Sequence, residues 1–256
     1  MADHIHTIPV LDALREPNGC AFCTMQKNLE RSVIQFALSP AYMEDDLRQQ
    51  TNKLGFCRKH MDAMYKEQNR LGLALMLHTH IQEICKNVGN ITANRRPLPF
   101  LGKDPNAVLP KLQEYLGKTH ASCYVCKRVD DTFNRYIDTF FHLWSKGGDD
   151  AKLIESQDGY CLPCFVTIIT AAEKSLGRGK RDKFMDFFLP QWQKFATELA
   201  GDLDWFIQKF DHRFASEPWK NSKDALPRAM NFLAGREEDS TKHARERASN
   251  GGAEDE

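Results

Sequence analysis

Apolar residues recur at three- and four-residue steps along most of the chain, which is the signature of helices buried on one face. From Thr24 to Leu38 the marks are Met25, Leu29, Val33, Ile34 and Phe36. Ser39-Pro40 then reads as an N-cap followed by proline at the first helical position. It opens a polar helix over 40–54, with Glu44, Asp45 and Asp46 near its start and Gly55 at its end. A single long helix is expected from Arg58 to Lys86, burying Met61, Met64, Leu71, Leu75, Ile81 and Ile84. The second half follows the same plan. Val129, Phe133, Tyr136, Ile137, Phe140 and Phe141 predict a helix over 127–144, and Lys146-Gly147-Gly148 breaks it. Pro163 suits the first turn of a helix running through Ile168, Ile169 and Ala172. The segment 182–210 is helical, with Pro190 and Gly201 as expected interruptions. Ile5 to Val10 is expected to form a short extended arm, and Asp224 to cap a last helix with Pro227 in its first turn. Phe206, Phe210, Phe214, Trp219, Leu226 and Phe232 are expected to fold this end of the chain back onto the bundle. Sustained period-two alternation is not found. The fold class is all-α.

The segment 94–119, with Pro97, Pro99 and Pro105, reads as a connector with a short helix between a first unit, 1–93, and a second, 120–235. Beyond Gly235 the only hydrophobic residue type is alanine, so 236–256 is expected to be a disordered charged tail.

The cysteines sharpen this division. Six form Cys-x-x-Cys doublets at Cys20/Cys23, Cys123/Cys126 and Cys161/Cys164; Cys57 makes a fourth doublet with His60, and Cys85 stands alone. Cys20 and Cys23 fall on Cys123 and Cys126 with an offset of 103 residues, and Cys57 and His60 on Cys161 and Cys164 with an offset of 104. Gly55-Phe56-Cys57 answers Gly159-Tyr160-Cys161. An internal duplication is the simplest account. Each copy offers two doublets of soft or borderline donors, which suits a tetrahedral structural zinc. The expected sets are therefore Cys20, Cys23, Cys57 and His60 in one unit, and Cys123, Cys126, Cys161 and Cys164 in the other. Cys57 and His60, three residues apart in the first turn of a helix, face the same way, and the helix N-terminus favours thiolate over thiol.

Other cysteine chemistry fits less well. Disulfides belong to exported proteins and leave His60 without a role. Cys161-Leu-Pro-Cys164 resembles a thioredoxin-type motif but lacks a βαβ setting. No doublet is followed by the histidine that a c-type haem needs. An iron–sulfur cluster is the weaker alternative to zinc. Four protein ligands close a zinc ion to activated water, so both sites are expected to be structural. Of the remaining candidates, His78 and His80 lie two apart on a helix and cannot chelate one ion together. One of them is expected to be a core histidine bonded to Asn69 or Asn52, and Cys85 to be a small buried hydrophobe. Gly72 is expected where helices approach closely. His4, His6, His120 and His142 complete the remaining candidates.

Charge and composition then narrow the function. Lys and Arg number 35 against 35 Asp and Glu, which argues against a broad nucleic-acid or lipid-binding surface. Seven bound thiolates against two dications would shift that balance by 4 minus 7, or −3. With 41% hydrophobic residues the chain can bury a core, yet its longest apolar runs are far too short to span a bilayer. The first twenty residues hold Asp3, Asp12, Arg15 and Glu16 and no long apolar run, which points to the cytoplasm.

Longer blocks carry a resemblance. His6-Thr-Ile-Pro-Val10, Thr51 through His60, Asn69-Arg-Leu-Gly-Leu-Ala-Leu75, His78-Thr-His80, Trp205-Phe-Ile-Gln-Lys-Phe-Asp211 and Pro218-Trp-Lys-Asn-Ser-Lys-Asp-Ala225 resemble successive blocks of an uncharacterised bacterial family with tandem Cys-x-x-Cys units. That resemblance implies histidine as the usual residue where this chain has Cys164, and it brings no activity. The expected function is therefore a zinc-stapled helical scaffold that binds an unidentified protein or small ligand. A thiol-based redox protein or sensor, using the four-cysteine set, is the alternative. A third, weaker reading is an enzyme with a pocket near Asn69, Arg70, His78 and His80.

Overall fold

The computed structural model describes residues 4–17, 19–93, 108–214 and 216–235. The proline-containing stretch 94–107 of the expected connector and the expected tail 236–256 lie outside the described residues. Among the described residues there are eleven α-helices and no strand. They are α1 (His4–Arg15), α2 (Ala21–Leu38), α3 (Asp45–Leu54), α4 (Arg58–Lys66), α5 (Arg70–Ala93), α6 (Val108–Ala121), α7 (Tyr124–Lys146), α8 (Asp149–Glu155), α9 (Leu162–Ser175), α10 (Arg178–Gln208) and α11 (Ala225–Ala234). The helices pack into two compact units, one formed by Asn28–Asn134 and the other by Met1–Lys27 with Arg135–Glu256. Neither unit is one of the two sequence copies.

In the Asn28–Asn134 unit, Ile34, Ala37, Leu38, Leu47, Phe56, Met64, Leu73, Met76, Tyr124 and Val125 form the core. Ser39 caps as expected, its hydroxyl accepting from the Ala41 amide, but Pro40–Met43 is a 3-10 turn and the α-helix starts only at Asp45. The expected helix from Arg58 to Lys86 is two helices. The break is made by Asn69, whose Oδ1 accepts the Gly72 amide at 2.9 Å while its Nδ2 donates to the Leu38 carbonyl at 2.7 Å. A side-chain acceptor three residues before an orphan N–H starts a helix, so the chain restarts with a new phase. Leu71 and Ile81, expected inside, are consequently exposed, and Leu73 and Met76 take the core positions. Cys85 is exposed, not buried. Gly72 does mark a close approach, since a Cβ there would meet Asn69 Nδ2 at 2.8 Å and Tyr42 Cδ1 at 2.9 Å.

The other unit is aromatic. Phe22, Phe140, Phe141, Phe184 and Phe188 are fully or almost fully buried. Phe22 meets Phe140 edge-on at 5.1 Å, Phe141 meets Phe184 at 5.3 Å, and Phe184 stacks on Phe188 at 5.0 Å. Such pairs add to their area burial through ring quadrupoles. Ile5 to Val10 is helical, not extended, with Pro9 inside α1. Val10, Leu11 and Leu14 supply the buried face, and packing of that face outweighs the proline's lost hydrogen bond. Likewise α10 runs through Pro190 and Gly201 without interruption, anchored by buried Phe184, Phe188 and Leu199. The C-terminal helix folds back as expected at Phe232, which stacks on Trp192 at 5.5 Å, but Phe210 and Leu226, expected to pack, are exposed. Asp224 sits at its N-cap without a side-chain cap bond. Its carboxylate accepts instead from Arg228 Nε at 3.0 Å. No helix among the described residues is long and apolar enough to cross a membrane.

Candidate metal centres

All four doublets are built alike. The first cysteine stands just before a helix, and its carbonyl accepts the amide four residues on: Cys20 from Thr24, Cys57 from Met61, Cys123 from Lys127 and Cys161 from Phe165. The second ligand is the third residue of that helix, so one helical turn turns both donors the same way. Gly55 ends α3 at φ 57, which delivers Cys57 to the next helix, and Pro163 pre-sets the first turn of α9. The sulfurs also sit at the positive end of each helix, where thiolate is favoured. At Cys123 the contact is direct, for the Cys126 amide donates to its Sγ at 3.5 Å.

The eight expected residues come together, but not in the expected sets. One group is Cys20, Cys23, Cys161 and Cys164; the other is Cys57, His60, Cys123 and Cys126. Within each, the donor atoms all lie within 4.8 Å of one another. Each group joins a doublet from one copy to a doublet from the other, which corrects the within-copy pairing. Four doublets allow three pairings, and spacing along the chain cannot choose among them. Tertiary packing chooses: Tyr124 and Val125, beside Cys123, are core residues of the unit that holds Cys57 and His60. Phe22 and Tyr160 meet edge-on at 5.7 Å beside Cys23 and Cys161.

In the all-cysteine group, Cys23 Sγ lies 3.4 Å from Cys161 Sγ and 3.6 Å from Cys164 Sγ. The sulfurs of Cys164 and Cys20 lower the Cys161 thiol, while their own thiols are pushed far up, chiefly by contact with Cys161. Four sulfurs this close cannot all ionise unless a cation shares their charge. The donor set is soft and four-fold, which suits zinc or iron. Gly235 lies against this cluster at φ 83, and a Cβ there would come 3.9 Å from Cys23 Sγ. Trp192 Nε1 donates to the Tyr160 carbonyl at 2.8 Å and its ring stacks on Phe165 at 4.1 Å, which steadies the Cys161–Cys164 turn.

In the other group, His60 Nδ1 is 3.2 Å from Cys57 Sγ, 3.3 Å from Cys123 Sγ and 3.4 Å from Cys126 Sγ. Nδ1 is therefore the nitrogen that would hold a metal. Nε2 faces Glu30 Oε1 at 2.7 Å. Burial pulls the imidazole down, but Cys123 and Glu30 outweigh it and raise the ring to about 10. The contact with His60 holds the Glu30 carboxyl at about 2. Burial opposes the Cys123 thiolate, yet His60 and the Cys126 and Cys57 amides bring it down to about 6. Burial and the neighbouring Cys123 charge push Cys126 up to about 12. An imidazolium among thiolates occupies the place of a cation, and a metal ion would replace its Nδ1 proton. Glu30 was missed in the sequence. The usable signal was chemical, because ligating histidines bind a carboxylate or carbonyl through the other nitrogen.

The remaining candidates have other work. Asn69 clamps the start of α5, and Arg70 donates to the Tyr65 hydroxyl at 2.8 Å. His78 is exposed, whereas His80 is half-buried and donates through Nδ1 to the Asn52 carbonyl at 2.7 Å. His6 lies against Tyr136 at 5.6 Å, and His120 and His142 are exposed. A cavity of about 490 Å³ lies elsewhere, lined by Phe195, Leu199, Asp202, Asn221 and Arg228 among others, and its arginine is already bonded to Asp202 at 2.9 Å and to Asp224 at 3.0 Å.

The model of a family of unknown function, DUF6062, matches residues 1–240. The chain belongs to that family. No curated protein and no solved structure matches it. Membership in DUF6062 thus agrees with the tandem doublets and supplies no activity.

Proposed function

We propose that this DUF6062 protein is a helical binding scaffold held together by two structural zinc ions. One is bound by Cys20, Cys23, Cys161 and Cys164, the other by Cys57, His60, Cys123 and Cys126. The observation that carries the reading is the gathering of donor atoms to within 4.8 Å in both groups, each with four protein ligands and helix N-termini behind the sulfurs. Four protein ligands leave zinc no position for a reacting water, so the ions serve folding. The scaffold acts in the cytoplasm, where reduced thiols persist, by binding a protein or small ligand. Metal analysis of the full chain, purified without chelator, tests this: two equivalents of zinc are expected. Substantially less than two, or iron in place of zinc, defeats it.

One observation favours a second reading, redox sensing at the all-cysteine site. Cys23 Sγ is 3.4 Å from Cys161 Sγ, a short closure from a bond. Peroxide would take two electrons from two thiolates, leaving a disulfide, two waters after uptake of two protons, and released zinc. Thiol counting with zinc release under mild peroxide separates the readings, since a purely structural site stays reduced.

A further inference from the structure

We infer that Glu30 is the positioning residue of the three-cysteine site, holding His60 in the tautomer that turns a bare Nδ1 toward the sulfurs. This inference rests on the metal reading above. Glu30 comes from α2, and its side chain is only 12% exposed. Its Oε1 lies 2.7 Å from His60 Nε2 and 2.8 Å from Lys59 Nζ, and its Oε2 accepts from the same ammonium at 3.0 Å.

Charge makes this arrangement informative. Three thiolates with one divalent ion carry a net negative charge, so a neighbouring carboxylate is repelled by the site it adjoins. Glu30 adds nothing by neutralising charge. What it offers is an acceptor for the one imidazole proton that must point away from the metal. A neutral imidazole has a single N–H, and fixing that proton on Nε2 leaves the Nδ1 lone pair free for the ion. The carboxylate also makes the ring a stronger donor. Lys59, adjacent to His60 in sequence, offsets the charge of Glu30 and pins both of its oxygens. Glu30 thus bridges His60, whose Nδ1 faces the three sulfurs, and solvent-exposed Lys59.

The test uses the full chain and needs no activity. In cadmium-loaded, nitrogen-labelled protein, His60 is expected to show metal coupling at Nδ1 and a slowly exchanging proton at Nε2. Coupling at Nε2 overturns the inference. In chelator competition Glu30→Ala is expected to weaken one of the two metal equivalents by about 10- to 100-fold, leaving the other unchanged. Glu30→Gln keeps an acceptor of the same size and is expected to recover most of that loss. Wild-type affinity at both sites in Glu30→Ala also overturns the inference. If Glu30→Ala does not fold, the Gln variant and the wild-type nitrogen spectrum decide. Failure of the metal reading is a different result: the wild-type chain then takes up no metal at Cys57, His60, Cys123 and Cys126.

Discussion

The Tyr124 amide donates to the Gly55 carbonyl at 2.9 Å, tying the first residue of α7 to the turn that delivers Cys57. Ser122 adds a second tie through its hydroxyl to the Leu54 carbonyl at 2.7 Å. The two doublets of the His60 group are thus tied to each other by hydrogen bonds of the chain itself, and the turn that holds them depends on a glycine.

Alanine at Gly55 is expected to destabilise by about 2–4 kcal/mol, combining left-handed strain with a buried clash. The residue sits at φ 57, and a Cβ would come 2.3 Å from His80 Nε2. The His80 ring cannot swing aside without losing its bond to Asn52. The aligned Gly159 has an equally close neighbour, Phe195 Cδ1 at 2.3 Å, but no positive φ. Over the background Phe195→Ala, Gly159→Ala should therefore cost less than about 1 kcal/mol, whereas Gly55→Ala over His80→Ala keeps about 1–2 kcal/mol of backbone strain. Denaturant unfolding of the two cycles measures this. Equal residual costs would refute the distinction.

The crossed pairing of doublets is open to a metal count. Cys23→Ser and Cys161→Ser should each remove the same equivalent, so their double variant still binds one metal. Cys23→Ser with Cys57→Ser should remove both, because these cysteines serve different ions. Within-copy pairing demands the reverse pattern. Elemental analysis of the four proteins, with circular dichroism to confirm that helices persist, decides between them.

The doublets that make up the two donor groups and the helical fold were legible because each rests on local rules. Cys-x-x-Cys and Cys-x-x-His place two donors on one turn, and helical periodicity marks the cores around Phe140 and Ile168. Which doublets meet is a tertiary question, settled by Tyr124 and Val125 packing beside Phe56, at a separation no local pattern encodes. The split between α4 and α5 could be read in retrospect, since Asn69-x-x-Gly72 is an N-cap followed by a close-packing glycine. Periodicity alone hid it, because Met64 and Leu71 stand seven residues apart and read as one apolar stripe, although the restart at Asn69 turns Leu71 outward. The Ile5–Val10 arm and the break at Pro190 failed for the opposite reason: burial of Val10, Leu14, Phe184 and Phe188 outweighed the local penalty of a proline inside each helix. Glu30 was invisible as one acid among many.

Lys209 stabilises the chain away from both donor groups. It is 8% exposed, donates to the carbonyls of Phe214 and Glu217, and lies 5.3 Å from the Trp219 ring. Its ammonium therefore closes the turn after α10. Lys209→Met preserves the aliphatic stem but strips those carbonyls of their donor, with an expected loss of about 2–3 kcal/mol. Any metal content should not change. A loss below about 0.5 kcal/mol in urea unfolding would show that water replaces the ammonium without cost.

The Tyr160 hydroxyl reverses the usual direction of mutational effects. It is buried and has no hydrogen-bond partner among the described residues, and burial pushes its pKa well up. A desolvated hydroxyl without a partner costs about 1–3 kcal/mol, and phenylalanine keeps the ring while removing it. The aligned residue of the first copy, Phe56, already has that form and packs edge-on against Tyr124 at 6.3 Å. Tyr160→Phe is therefore expected to stabilise the protein by about 1 kcal/mol, which raises the melting temperature of a chain this size by about 2–4 °C. Its edge-on contact with Phe22 should survive, as should metal content. Destabilisation by more than about 1 kcal/mol would instead identify a bond donated by the hydroxyl. The neighbouring charges of Cys20 and Cys164 make a metal-bound thiolate the acceptor to seek first. In that case metal affinity would fall together with stability, and calorimetry with chelator competition distinguishes the two outcomes.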